Sequence, residues 1–82
     1  MLEEQLSARA IVGAKQVLRA LSADQLACVY IADDVDAFLS DKLRTACEAH
    51  GVEIRPAPSM KELGTACKID VGAACAGIPK EI

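Results

Sequence analysis

An 82-residue chain has room for one folded domain. Its formal net charge of −3 argues against a protein that binds nucleic acids without specificity, because such proteins are strongly basic. Its 52% hydrophobic and 26% charged residues exclude extensive disorder. Because Tyr30 and Phe38 are the only aromatic residues, the composition also argues against a protein that stacks RNA bases on an aromatic sheet surface. An acidic total is still compatible with a small basic patch, since the position of the charges decides binding.

The cysteine pattern gives no indication of a metal or redox site. Four cysteines are present, at Cys28, Cys47, Cys67 and Cys75. Their spacing contains no C-x-x-C motif and no nearby histidine pair, and each lies in an apolar stretch, which predicts small buried thiols in a reducing compartment. No signal peptide and no apolar run of membrane-spanning length is found. We therefore expect a cytoplasmic protein with no cofactor and no membrane partner.

The first third of the chain has a helix–strand–helix pattern. Two leucines four residues apart predict a short amphipathic helix over 1–8. Residues 9–13 then predict a brief strand that a glycine ends. Apolar residues at helical spacing predict a second helix over 14–21, with its polar residues on the opposite side.

The middle of the chain predicts a buried strand followed by a long helix. A continuous apolar run over 27–32, followed by acidic residues, is typical of a central strand covered on both faces. A helix is predicted over 37–50, and Gly51 ends it. Its inner stripe is predicted to consist of Leu39, Leu43, Ala46, Cys47 and His50.

The last third predicts an edge strand, a helix and a strand of small residues. Two prolines assign the strand over 52–58 to the edge of the sheet. Ser59 and Glu62 fit a capping box that opens a helix through Cys67, and a loop over 68–71 leads to a final strand over 71–78. Regular alternation of helices and strands predicts an α/β fold in one domain, 1–82.

The helix after Gly13 is the first candidate site. A glycine-led turn into a helix presents unpaired backbone N–H groups and the positive end of the helix dipole, which suits phosphate. Lys15 and Arg19 lie on one face, with Gln16 beside Lys15. The two cations can bind phosphates and the glutamine amide can pair with a base edge. From composition alone, an ordinary solvated helix face is the favoured interpretation.

The loop over 68–71 is the second candidate. Ile69 and Val71 flank Asp70 between a helix and a buried strand. An apolar loop of this kind can cover an unstacked nucleotide or tuck into the core. Lys61 and Lys68 add positive charge on the elements beside this loop.

An acidic cluster gives a competing hypothesis. Asp33, Asp34 and Asp36 follow the predicted central strand, where carboxylates can hold magnesium for phosphoryl transfer, as in receiver domains. Later strands lack the further aspartate and lysine that such a site needs, so capping of a helix by Asp34 or Asp36 is the favoured interpretation.

His50, the only histidine, is expected to interact with the dipole at the end of its helix rather than to catalyse a reaction.

Three strings of the sequence resemble one protein family in order and with matching gaps. They are residues 12–20 (VGAKQVLRA), 29–36 (VYIADDVD) and 58–67 (PSMKELGTAC). Together they resemble the kink-turn-binding superfamily of ribosomal proteins, and most of all its stand-alone bacterial members. The resemblance implies a three-layer α/β/α sandwich around a four-stranded mixed sheet. It also implies binding to kink-turn RNA, a helix–bulge–helix element with tandem sheared G·A pairs.

The resemblance also implies roles for individual residues. By position, Gly13 opens the RNA-facing helix, Lys15 and Gln16 contact the G·A pairs, and Arg19 reaches the RNA backbone. Residues 69–71 correspond to the loop that covers bulge nucleotides and largely sets RNA preference.

Three residues differ from the family's usual pattern. Lys68 replaces a common glycine, Ala14 replaces a common threonine, and Asp33 falls where bacterial relatives can have lysine and archaeal ones an acidic residue.

The expected function is non-catalytic capture of structured RNA, such as ribosomal RNA or a messenger-RNA leader, in association with the ribosome and without binding DNA. The acidic composition favours one alternative, a protein-interaction module on the same scaffold.

Overall fold

The computed structural model describes residues 10–67, 69 and 71–80. Within these residues the chain forms, in order, β1 (Ile11–Val12), α1 (Ala14–Ser22), β2 (Leu26–Ala32), α2 (Ala37–Ala49), β3 (Glu53–Ala57), α3 (Met60–Ala66) and β4 (Cys75–Pro79). The helix predicted over 1–8 lies outside the described residues. No helix within them is both long and apolar enough to cross a membrane.

The described strands form a mixed sheet, as the resemblance implies. Their order is β1-β4-β2-β3, with β2 and β3 parallel and β4 antiparallel to both of its neighbours. Consequently β1, β2 and β3 all end, and β4 begins, at the same end of the sheet. We call this end the carboxyl end of the sheet.

Helices cover both faces of the sheet and produce the predicted three-layer α/β/α sandwich. Along β2, Cys28, Tyr30 and Ala32 point to the face covered by α3. Val29 and Ile31 point to the opposite face, which α1 and α2 cover. Because both sets are buried, the strand consists of a nearly continuous apolar run, as predicted for a central strand.

A bulge at the start of β2 explains why Leu26 does not follow the alternation of side chains between the two faces of the sheet. The pairing with β4 shifts register between Leu26 and Cys28. The extra residue, Ala27, is exposed, and Leu26 therefore points to the same face as Val29.

The final strand begins at Cys75, so the prediction that it begins at residue 71 is wrong. The reason is that the N–H of Ala73 donates to the carbonyl oxygen of Met60 at 2.9 Å, which holds the preceding residues against the start of α3. From Cys75 onward small side chains let both helical layers approach. Cys75 and Ala76 are fully buried, on opposite faces of the sheet.

The helix ends agree with most of the predicted signals. Ser59 Oγ accepts the N–H of Glu62 at 3.0 Å, which confirms the capping interaction at the start of α3. Gly51 has a φ of +64°, the left-handed conformation expected of the residue after a helix. The inner stripe of α2 is confirmed except for His50, which is exposed. His50 follows the last helical residue with a φ of −103°, so its side chain no longer continues the stripe.

Gly77 is required by the close approach of β4 to Leu26. A Cβ at this position would lie 2.6 Å from Leu26 Cδ1, and Leu26 is itself buried. We expect Gly77→Ala to lower the free energy of unfolding by about 1–3 kcal/mol because it overpacks the core. Urea unfolding of Gly77→Ala, Leu26→Val and the double variant measures the effect. The smaller valine should relieve the clash. The double variant should therefore lose less free energy of unfolding than the two single variants lose together. Strict additivity of the two losses would show that the methyl group does not clash with Leu26.

Candidate functional site

The start of α1 leaves backbone donors free at the carboxyl end of the sheet. Gly13, with a φ of +101°, donates its N–H to the carbonyl oxygen of Cys75 at 3.1 Å and accepts the N–H of Val17 at 2.9 Å. Within the described residues no side chain caps α1, and its first turn has no acidic residue. The N–H groups of residues 14–16 therefore have no acceptor within the helix, and donors in this arrangement attract anions.

The side chains at this helix start are polar and accessible. Lys15, Gln16 and Arg19 are all exposed. A Cβ at Gly13 would lie 3.0 Å from Gln16 Oε1, so the amide of Gln16 lies next to the glycine that opens the helix. Arg19 lies about 6 Å further along the helix axis than Lys15, at a rise of about 1.5 Å per residue.

The other two described helices begin differently, since aspartates and a serine satisfy their first donors. Asp36 Oδ1 accepts the N–H of Leu39 at 2.8 Å, and Ser59 caps α3. Asp34 Oδ1 accepts the N–H of Met60 at 2.7 Å, across from the end of β2 to the start of α3. Helix capping by Asp34 and Asp36 is therefore confirmed, although Asp34 serves a helix distant in sequence. Among the described residues no group of three or more histidine, cysteine or acidic side chains could hold a metal.

The two described apolar residues of the loop point in different directions. Ile69 is half-buried against the core beneath α3, and its N–H donates to the carbonyl oxygen of Gly64 at 3.1 Å. Val71 has 70% of its surface exposed. The sequence left open whether this loop tucks into the core or faces a ligand. Ile69 anchors the loop to the core, whereas Val71 is presented to solvent. Lys68 and Asp70 lie outside the described residues.

Gly64 allows the loop to lie directly on α3. A Cβ at this helical position would fall far inside contact distance of the Val71 carbonyl oxygen. On the other side of the loop, a Cβ at Gly72 would lie 3.3 Å from atoms of Met60. Two glycines therefore set how closely the loop packs against the helix.

The structure brings the helix start and the loop together. The bond from Gly13 to Cys75 joins the start of α1 to the start of β4, directly after the loop. On the other side of β4, Ala32 donates its N–H to the carbonyl oxygen of Ala74 at 3.0 Å. The start of α3 lies at the same end, because the N–H of Met60 donates to Asp34, which follows β2. Lys61, the residue after Met60, is exposed. The described candidate residues, apart from the more distant Arg19, thus surround the carboxyl end of the sheet.

The cysteines do not supply a nucleophile to this surface. All four are free and buried, and burial raises the pKa of each thiol above its ordinary value. For Cys75, desolvation and the nearby Cys47 raise the pKa to about 12. Neutral, inaccessible thiols of this kind are structural rather than reactive, as the sequence predicts.

Sequence reasoning missed three features of this end of the molecule. The roles of Gly64 and of the Asp34–Met60 hydrogen bond depend on contacts that no local pattern reveals. Phe38, in contrast, could have been found from sequence. It lies beside the inner stripe of α2 rather than on it, and 82% of its surface is exposed.

Comparison with known proteins identifies the family. Residues 3–81 match the model of the Ribosomal protein L7Ae/L30e/S12e/Gadd45 family. The chain belongs to this family. An RNA-binding protein of Caldanaerobacter subterraneus is 45% identical over 75 residues, which cover 92% of each chain. RNA-binding protein YbxF of Geobacillus stearothermophilus is 40% identical over 68 residues, or 83% of each chain.

Solved structures of this fold agree with the architecture. A 15.5 kDa RNA-binding protein of Giardia lamblia superposes with a TM-score of 0.82 at 31% identity, covering 89% of this chain and 62% of that one. A protein of unknown function from Bacillus halodurans superposes with a TM-score of 0.81 at 19% identity, covering 88% and 72%, and this likeness concerns the fold alone. The α/β fold of three helices and a four-stranded mixed sheet found in the described residues is therefore that of the family.

Gly64→Ala tests how the loop is positioned. In an exposed helix interior this substitution stabilises a protein by about 1 kcal/mol. Here the new methyl group would displace the Val71 carbonyl, so we expect the free energy of unfolding to fall by about 1–3 kcal/mol. Thr65→Ala, at the adjacent exposed position, is the control. It removes only the exposed hydrogen bond from the Thr65 hydroxyl to the Lys61 carbonyl oxygen and should change stability by about 0.5 kcal/mol or less. A Gly64→Ala protein more stable than the wild type in urea unfolding would show that the loop does not depend on this contact.

Proposed function

We propose that this chain is a non-catalytic RNA-binding protein that recognises kink-turn RNA through the carboxyl end of the sheet. The observation that supports the proposal most directly is the uncapped start of α1, with Lys15 and Gln16 exposed, beside a loop that presents Val71. Membership of the family and the RNA-binding relatives support RNA as the ligand.

In this proposal the start of α1 binds the phosphate backbone and the edges of the bases. The N–H groups of residues 14–16 and the ammonium group of Lys15 attract phosphate oxygens. Gln16 can donate and accept hydrogen bonds at once, which the edges of sheared G·A pairs require. Arg19, further along the same helix, and Lys61 at the start of α3 would contact phosphates on either side.

The loop would complete the interface by covering an unstacked nucleotide of the bulge. Val71 offers an exposed aliphatic surface, while the anchoring of Ile69 in the core keeps the loop in place before RNA arrives. A preformed loop loses little conformational entropy on binding. Lys68 and Asp70 are proposed to contribute to the same loop surface.

The proposed mechanism is capture of a bent RNA. Because the protein would bind the kinked form better than the open form, binding shifts the RNA's own equilibrium toward the kink. This mechanism needs no covalent step and no cofactor. Ribosomal RNA or a messenger-RNA leader in the cytoplasm, with ribosome association, is the proposed setting.

The net charge of −3 favours one alternative, a protein-interaction module on the same scaffold. Two of the acidic groups nearest the site, Asp34 and Asp36, accept backbone N–H groups at helix starts, where the helix dipole partly offsets their charge. Ribosome co-sedimentation that survives nuclease treatment, in a protein with no measurable RNA affinity, would favour the alternative.

Specific recognition is tested by calorimetric titration with a kink-turn RNA and a matched RNA whose G·A pairs are replaced by Watson–Crick pairs. We expect binding to the kink-turn RNA to be at least about tenfold tighter, a difference of about 1.4 kcal/mol. A DNA duplex of the same length serves as a control for non-specific charge attraction. Equal affinity for the two RNAs would reject kink-turn recognition.

Substitutions at the start of α1 should separate charge from specificity. Lys15→Ala should reduce the slope of log K against log salt by about 0.7–0.9, because one fewer counterion is released. Gln16→Ala should leave that slope unchanged but reduce discrimination between the two RNAs, by about 1–3 kcal/mol for a lost base contact. Lys80→Ala, at the opposite end of the sheet, controls for loss of any exposed positive charge. If both substitutions at α1 leave binding unchanged, the site lies elsewhere.

A further inference from the structure

The large exposed apolar side chains within the described part of the chain all lie at one end of the sheet. Among the described residues, three large apolar side chains are exposed: Phe38 at 82%, Val71 at 70% and Met60 at 36%. Phe38 lies in the first turn of α2, Met60 opens α3, and Val71 precedes β4. All three therefore lie at the carboxyl end of the sheet, around the start of α1. Apolar surface concentrated beside a candidate site indicates a surface that another molecule covers.

Val71 already has a place in the proposed RNA interface, and Met60 is largely covered, but Phe38 has no role there. Its position is well defined, because the hydrogen bond from Leu39 to Asp36 sets where α2 begins. Leu39 and Leu43 turn inward to the core, so the neighbouring Phe38 projects from the side of the helix. Because α1 and α2 pack on the same face of the sheet, their axes lie about 8–10 Å apart, so one RNA can contact both helix starts.

We infer that Phe38 is a stacking position for an unpaired nucleobase of the bound RNA, an inference that rests on the proposed function. A flat aromatic ring at this exposure offers one face to a base, and base–aromatic stacking does not depend on base identity. Lys42 is exposed one helical turn further on, on the same side of α2 as Phe38. Its ammonium group can contact the phosphate of the stacked nucleotide.

The surroundings of the ring favour a nucleobase over a protein partner. One helical turn beyond the ring, the exposed side chains on α2 are charged: Asp41 lies three residues and Lys42 four residues further along. Protein interfaces centre on well-packed apolar clusters from which water is excluded. Met60 opens α3, which covers the opposite face of the sheet, so on α2 the ring stands alone among charged groups. A single base needs only one ring and one cation.

The chain contains no tryptophan, which makes a direct test possible. Phe38→Trp introduces a single tryptophan, which can be excited separately from Tyr30, and its emission should be quenched when kink-turn RNA binds, with affinity retained. His50→Trp is the matched control. It is exposed at the other end of α2, about 18 Å away at about 1.5 Å per residue, and should show no quenching.

Affinity measurements on two Phe38 variants, with Lys15→Ala for comparison, identify the kind of contact. Phe38→Ala should bind kink-turn RNA about tenfold more weakly, as expected for loss of one stacked base. Phe38→Leu should restore little of this affinity, because it retains apolar area but no ring. Unlike Lys15→Ala, both variants should keep the wild-type salt slope, because no charge is removed.

Each outcome distinguishes this inference from the proposed function. Wild-type affinity in Phe38→Ala, with unquenched emission from Phe38→Trp and RNA binding otherwise intact, would overturn the stacking position alone. Loss of self-association or of protein-mediated ribosome binding in Phe38→Ala, with unchanged RNA affinity, would assign the ring to a protein partner instead. Absence of RNA binding by the wild type would overturn the proposed function and the stacking position together.

Discussion

The insertion of β4 between β1 and β2 determines what this molecule presents to a ligand. Because β4 runs antiparallel to both neighbours, its first residue lies beside their last residues, and the bonds Gly13–Cys75 and Ala32–Ala74 join three segments at one end of the sheet. The strand fits there only because Cys75, Ala76 and Gly77 are small enough for helices on both faces. Packing of the core thus fixes the geometry of the exposed surface at this end of the sheet.

Hydrogen bonding at the helix starts then decides which donors remain available at that surface. Asp36, Ser59 and Asp34 satisfy donors of α2 and α3, whereas α1 begins with a glycine and offers its donors to solvent. Met60 is held on both sides, since its N–H donates to Asp34 and its carbonyl oxygen accepts from Ala73. The loop, the acidic turn and the start of α3 therefore form a preorganised frame around the one free helix start among the described residues.

Local patterns predicted most of this arrangement. Apolar spacing identified α1 and α2, the acidic residues after β2 were correctly interpreted as caps, and the glycine-led helix start was singled out. Features that depend on tertiary contacts were missed. Residues 71–74 resemble a strand in composition, but the absence of a side chain at Gly64 lets them pack on α3 instead. Leu26 breaks the alternation because of a bulge, which arises from pairing with β4. Lys68 and Asp70, both predicted to touch RNA, lie outside the described residues.

RNA binding at the carboxyl end of the sheet is tested most directly by mapping the backbone amide signals that change on binding. Isotope-labelled protein would be titrated with kink-turn RNA and followed by NMR. We expect the largest shifts at residues 14–16 and 71–73, and small shifts at Asp24 and Lys80, which pair with each other at the opposite end. Shifts concentrated around Asp24 and Lys80, or along β3, with the start of α1 unchanged, would contradict the account.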